Sequence, residues 1–66
     1  MKRIRPDLKI LLVDDSSETI TIAKLYLQNK GLHNTSSCSD VDTALSMIER
    51  ANKEDEPFQI CFIDWN

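Results

Sequence analysis

Three aspartates stand where they could act together. Asp14 and Asp15 directly follow the apolar run Ile10 to Val13, and Asp64 closes a second apolar run in "ICFIDWN", Ile60 to Asn66. Two carboxylates about 4 Å apart repel by roughly 4 kcal/mol at an effective dielectric near 20, and by about 1 kcal/mol in bulk water. Converging acids are therefore costly unless a cation is present. A hard divalent ion, Mg²⁺ above all, reverses the sign of that interaction and prefers oxygen ligands. Held by one or two carboxylates, it keeps positions open for water and phosphate oxygens. Beside such an ion a carboxylate can act as a nucleophile and form an aspartyl phosphate. Singly, each acid has a plainer reading: Asp15 suits a helix dipole and Asp64 suits a turn. The joint pattern is what points to a metal or phosphate site.

The elements that must position these acids can be read from apolar spacing. Lys9 to Val13 is an apolar run without alternation, as expected of a strand covered on both faces. Ser16 or Ser17 can cap a helix over Glu18 to Lys30, whose apolar face holds Ile22, Ala23, Tyr26 and Leu27, widened by Ile20 and Leu25. Gly31 sits where a helix ends in a left-handed residue. "HNTSSC", His33 to Cys38, is polar and fits only an edge strand. Asp40 or Asp42 can cap a second helix with Ala44, Leu45 and Ile48 inward and Met47 beside them. Glu49 to Pro57 loses the period and reads as a charged loop. Phe58 to Ile63 is a third strand, apolar enough to be central. Strand, helix, strand, helix, strand predicts a parallel α/β sheet with right-handed crossovers. The carboxyl ends of its strands share one edge, where open α/β sheets bind ligands. Asp14, Asp15 and Asp64 all fall on that edge.

Totals exclude several functions. With 66 residues and a net charge of −3, the chain is one small domain without the basic footprint that nucleic acid needs. Lys2, Arg3, Arg5 and Lys9 form a short basic start, read as a solvated leader over residues 1–8. Cys38 and Cys61 lack zinc-ligand spacing and read as reduced thiols in strands. No stretch reaches the roughly 20 apolar residues of a membrane span. A cytoplasmic protein is expected. Lone His33 reads as a loop residue, and Tyr26 and Met47 as core or half-core.

The sequence resembles the first half of a response-regulator receiver domain, of the chemotaxis-regulator kind. The matching residues are "ILLVDD" at Ile10 to Asp15, Gly31, "DVDTAL" at Asp40 to Leu45, and "FIDWN" at Phe62 to Asn66. The resemblance implies a flavodoxin-like, doubly wound sheet, here its β-α-β-α-β half in the order 2-1-3, with the polar second strand at an edge. It implies a Mg²⁺ site on Asp14, Asp15, Asp64 and Asn66, in which Asp64 is also the phosphoacceptor, Asp15 a direct ligand, Asp14 a ligand through water, and Asn66 a donor through its backbone carbonyl. The implied partner is a histidine kinase or phosphotransfer protein. The implied role is that of an acceptor in phosphorelay signalling rather than an enzyme.

The chain also departs from the family. Val41 stands where the family has Gly before the second helix, and the loop Ala51 to Pro57 is longer and more acidic. After this Asn the family continues with Met-Pro, a strand ending in Ser or Thr and another ending in Lys; those residues bind the phosphoryl group and carry the signal. The expectation is a piece of a longer protein, or a chain whose third strand, left as an apolar edge, pairs with another copy. The alternative role is a non-catalytic interaction half-domain that self-associates through that strand. A phosphatase of the haloacid-dehalogenase type would need DxDx[TV] after an apolar strand. The only DxD, Asp40-Val41-Asp42, follows "SSCS" and leads to Ala44.

Overall fold

A computed structural model of the chain describes residues 7–64. Five elements alternate: β1 (Ile10–Val13), α1 (Ser17–Asn29), β2 (Thr35–Cys38), α2 (Val41–Lys53) and β3 (Ile60–Ile63). The strands form a parallel sheet in the order β2-β1-β3, as the alternation predicts. All four residues of β1 are buried, because the central strand is covered on both faces. Ile10 and Leu12 pack with Leu32, Ile20, Ala23 and Leu27 on the α1 side. Leu11 and Val13 pack with Ala44, Met47, Ile48 and Phe58 on the α2 side. The two-residue period of a strand thus serves two helices at once.

Both helices end in the same way. At α1 the N–H of Leu32 donates to the Leu27 carbonyl and that of Gly31 to Gln28, at 2.9 and 3.0 Å, with Gly31 at φ +84°. This is a Schellman ending, in which a left-handed residue lets the chain turn back on the last carbonyls. At α2 the N–H of Glu56 reaches the Ala51 carbonyl at 2.9 Å and that of Asp55 reaches Asn52 at 3.1 Å. The left-handed residue there is Asp55, φ +58°. Asp accepts this conformation better than most residues.

The second ending corrects the sequence reading. Glu49 to Lys53 belong to α2, not to a loop, because Ala51 is buried and Arg50 and Lys53 in the last turn suit the dipole. With no glycine to mark it, the stop was hidden. Leu45 is exposed, and the inner face of α2 is Ala44, Met47, Ile48 and Ala51. In α1 the inward residues are Ile20, Ala23 and Leu27. Ile22 and Tyr26, expected inside, are 66% and 61% exposed. They border an open groove of about 660 Å³ between α1 and the sheet, floored by Phe62 and Ile63. Val41 does not disturb the start of α2, which follows Asp40 in extended backbone.

Strand β3 starts at Ile60 rather than Phe58 and lies at an edge of the described sheet. Phe58 instead packs into the α2-side core. Lys9 is not merely part of a solvated leader: its Nζ donates to the Glu56 carbonyl at 2.8 Å and stands 4.8 Å from the Phe58 ring centroid. Leader residues 1–6 lie outside the described residues. Cys38 and Cys61 are both free. Burial pushes the Cys38 thiol above its ordinary range, with the Asp40 charge adding to the rise and a hydrogen bond to the Asp40 backbone opposing it. A raised pKa means less thiolate at a given pH. In dilute solution near pH 8, iodoacetamide should modify exposed Cys61 several-fold faster than Cys38; equal rates by peptide mass mapping would contradict this placement.

Candidate functional site

The site forms because three chain turns leave the sheet at the same edge. The β1–β3 register aligns Val13 with Ile63, and the β1–β2 register aligns Val13 with Cys38. The next residues are therefore level. The Asp14 N–H donates to the Cys38 carbonyl at 3.1 Å, and the Asp64 N–H donates to the Val13 carbonyl at 3.0 Å. Asp14 and Asp64 thus follow neighbouring strands, about 4.8 Å apart at parallel-sheet spacing.

Asp14 is the most enclosed of the acids, 9% exposed. Its Oδ1 accepts the N–H of Ser16 at 2.9 Å, an Asx turn that directs the chain into α1. Ser16 is the N-cap of α1, and its hydroxyl accepts the Thr19 N–H at 3.3 Å. The sequence "DDSS" therefore orients an acid and starts a helix in four residues. The positive end of that helix lies beside Asp14 and Asp15, which favours negative charge there. Asp15 and Asp64 are exposed.

Asp14, Asp15 and Asp64 line one cleft of about 200 Å³, together with Ser39, Asp40 and Val41 from the β2–α2 turn. Among the described residues, no three His, Cys, Asp or Glu side chains form a group placed to hold a metal ion. The carboxylates border a common cleft without closing on one point. Their donor chemistry fits Mg²⁺, which takes oxygen ligands and is held by one or two carboxylates with water filling the other positions. Asn66, with its backbone carbonyl, lies outside the described residues.

Over 63 residues the chain is 35% identical to chemotaxis protein CheY-3 of Vibrio cholerae serotype O1, covering 96% of this chain and 45% of that protein, and the same holds in two strains. Over 59 residues it is 39% identical to chemotaxis protein CheY of Pseudomonas aeruginosa, covering 89% of this chain and 44% of that one. The chain fits a partial response-regulator receiver domain. It spans less than half the length of the curated relatives it matches. No family model matches it, and no solved structure gives a significant match.

The acids named from sequence come to one edge, as alternating strands and helices require. Sequence reasoning missed the contribution of the β2–α2 turn. Ser39 and Asp40 stand in the same cleft, and Asp40 was read only as a cap. The available signal was the shared edge itself: the residue after any parallel strand lies there, and Asp40 follows β2 by two positions. The side chain of Asp40 makes no capping bond to α2.

Proposed function

We propose that this chain is a phosphoacceptor module of a cytoplasmic two-component phosphorelay, with Asp64 as the acceptor. The supporting observation is the register that sets Asp14 and Asp64 level on neighbouring strands, in one cleft with Asp15. A carboxylate oxygen of Asp64 attacks the phosphorus of a phosphohistidine on a histidine kinase or phosphotransfer protein. The P–N bond breaks as the P–O bond forms, and the imidazole leaves and takes up a proton. Asp64 is exposed and open to such a donor. Asp14, fixed by Ser16, and Asp15 stand beside it, and with Asp64 itself and the Asn66 carbonyl they are the residues that would carry Mg²⁺. When bound, the ion supplies compensation for the charge developing on the phosphoryl oxygens. The chain accepts a group and is no enzyme in the sense of turning over a free substrate. No helix among the described residues is long and apolar enough to cross a membrane.

The test uses phosphoramidate, which carries the same P–N linkage as phosphohistidine. With Mg²⁺ the Asp64 peptide should gain one phosphoryl mass, and excess EDTA should prevent it. Metal binding is read separately from Trp65, the only tryptophan, bonded to Asp64. Its emission should change saturably with Mg²⁺, and a folded chain with neither response would overturn the proposal.

A second reading rests on β3, whose outer edge is unpaired among the described residues and apolar. In that reading the chain is a non-catalytic half-domain that self-associates through β3.

A further inference from the structure

We propose that Asp40 sets the charge of the acid cleft: without ligating the ion, its carboxylate raises the affinity of the cleft for Mg²⁺ and slows the approach of anionic phosphoryl donors. This deepens the phosphoacceptor reading and rests on it.

The backbone brings Asp40 to the cleft. The Cys38 carbonyl accepts the Asp14 N–H at 3.1 Å, so β2 ends level with Asp14 and the next two residues pass over the carboxyl edge of the sheet. Ser39 and Asp40 there line the cleft that Asp14, Asp15 and Asp64 share. Two donors hold the turn through the Asp40 carbonyl: the Ala44 N–H at 3.1 Å and the Cys38 thiol at 3.5 Å. Ala44 is itself buried in the core. The place of Asp40 is thus set by main chain and packing, and its side chain is not needed for it.

Nor does the helix use that side chain. An aspartate at an N-cap ordinarily accepts the N–H of the second or third helical residue. Asp40 is the N-cap of α2, in extended backbone at φ −145° and ψ 161°, and makes no such bond. At the equivalent position of α1 the Ser16 hydroxyl does cap, accepting the Thr19 N–H. The Asp40 carboxylate stays exposed, on the wall of a cleft that already holds three acids.

Distance decides what a charge there can do. A cleft of about 200 Å³ is roughly 7 Å across if taken as a sphere, inside the screening length of about 10 Å at 0.1 M salt. A carboxylate at that range acts on a divalent ion without touching it. In a water-like dielectric with partial screening, one such charge changes the affinity by a factor of about three to five. The same field acts with opposite sign on a donor whose phosphoryl oxygens are negative. Asp42, in the first turn of α2, carries an equal charge but is not among the residues that line the cleft.

The test follows Trp65 emission during Mg²⁺ titration of Asp40→Asn, which keeps the shape and N-cap preference of the residue and removes its charge. At roughly 20 mM salt the dissociation constant should rise about threefold or more, and at about 0.5 M salt the difference should vanish by screening. At saturating Mg²⁺ the same variant should label Asp64 from phosphoramidate about twofold faster. Asp42→Asn should change either quantity by less than about 1.5-fold. Unchanged Mg²⁺ affinity in Asp40→Asn would overturn this inference and leave the phosphoacceptor reading standing. So would an equal loss in Asp42→Asn, which would make the effect one of net charge instead of place. A loss that persists at high salt would overturn it in favour of direct ligation by Asp40. Slower labelling at saturating Mg²⁺ would overturn the effect on donors. A folded chain with neither a Mg²⁺ response nor labelling would overturn both readings.

Discussion

Asp64→Ala should abolish phosphoryl incorporation from phosphoramidate, to below one-hundredth of the unaltered chain, while the circular dichroism spectrum stays the same. The Asp64 side chain is exposed, and what ties this residue to the sheet is its backbone N–H on the Val13 carbonyl. Alanine keeps that bond, so the fold has little to lose. The nucleophilic oxygen, by contrast, has no substitute nearby. Asp14 is enclosed and already accepts the Ser16 N–H, and Asp15 leaves the sheet on the way into α1. Asp15→Ala should keep the acceptor and weaken the Mg²⁺ response of Trp65 instead. Undiminished labelling of the Asp64→Ala chain at any residue would show that the acceptor lies elsewhere.

The second large effect concerns stability. Leu11→Ala should lower the thermal midpoint by at least about 8 °C, taking about 4 °C per kcal/mol for a domain of this size and a core truncation cost of about 2–5 kcal/mol. Leu11 is fully buried in one cluster with Val13 and Ala44, against which Met47 and Phe58 pack. Total stability for 66 residues at about 0.05–0.15 kcal/mol per residue comes to roughly 3–10 kcal/mol, so one such cavity removes a large share. Leu25→Ala is the control, since Leu25 is 57% exposed and its loss should move the midpoint by less than about 4 °C. Equal shifts in the two variants, followed by circular dichroism at 222 nm (roughly the helix band), would mean that the assigned core is wrong.

The two results bear on different parts of the molecule. Leu11 acts through packing on the α2 side, whereas Asp64 acts through its position after β3. They are joined by β1, whose buried side chains carry the core and whose backbone fixes both acids in register. The same strand that stabilises the fold therefore sets the spacing of the site.

Much of this is legible in the sequence. An apolar run without alternation, then a helical period closed by glycine, then a polar segment, gives β1, α1 and an edge β2 by local physics. Parallel order follows from the alternation, and the acids then fall on one edge. What was misread had a common origin in side-chain packing over distance. Ile22 and Tyr26 lie on an apolar stripe wider than the sheet beneath α1 can cover, so the stripe alone does not say which residues turn inward. The end of α2 was lost because Asp55 takes the left-handed position usually signalled by glycine.

The sequence by itself determined the elements, their parallel order and the edge on which Asp14, Asp15 and Asp64 lie, because strand and helix periods and capping are local properties. Only the tertiary structure decided which carboxylate is enclosed and which are open, that the Ser39–Asp40 turn shares their cleft, and that β3 presents an unpaired apolar edge among the described residues. Those facts depend on register between strands distant in sequence and on how far each helix reaches across the sheet, and neither is encoded in any single stretch of the chain.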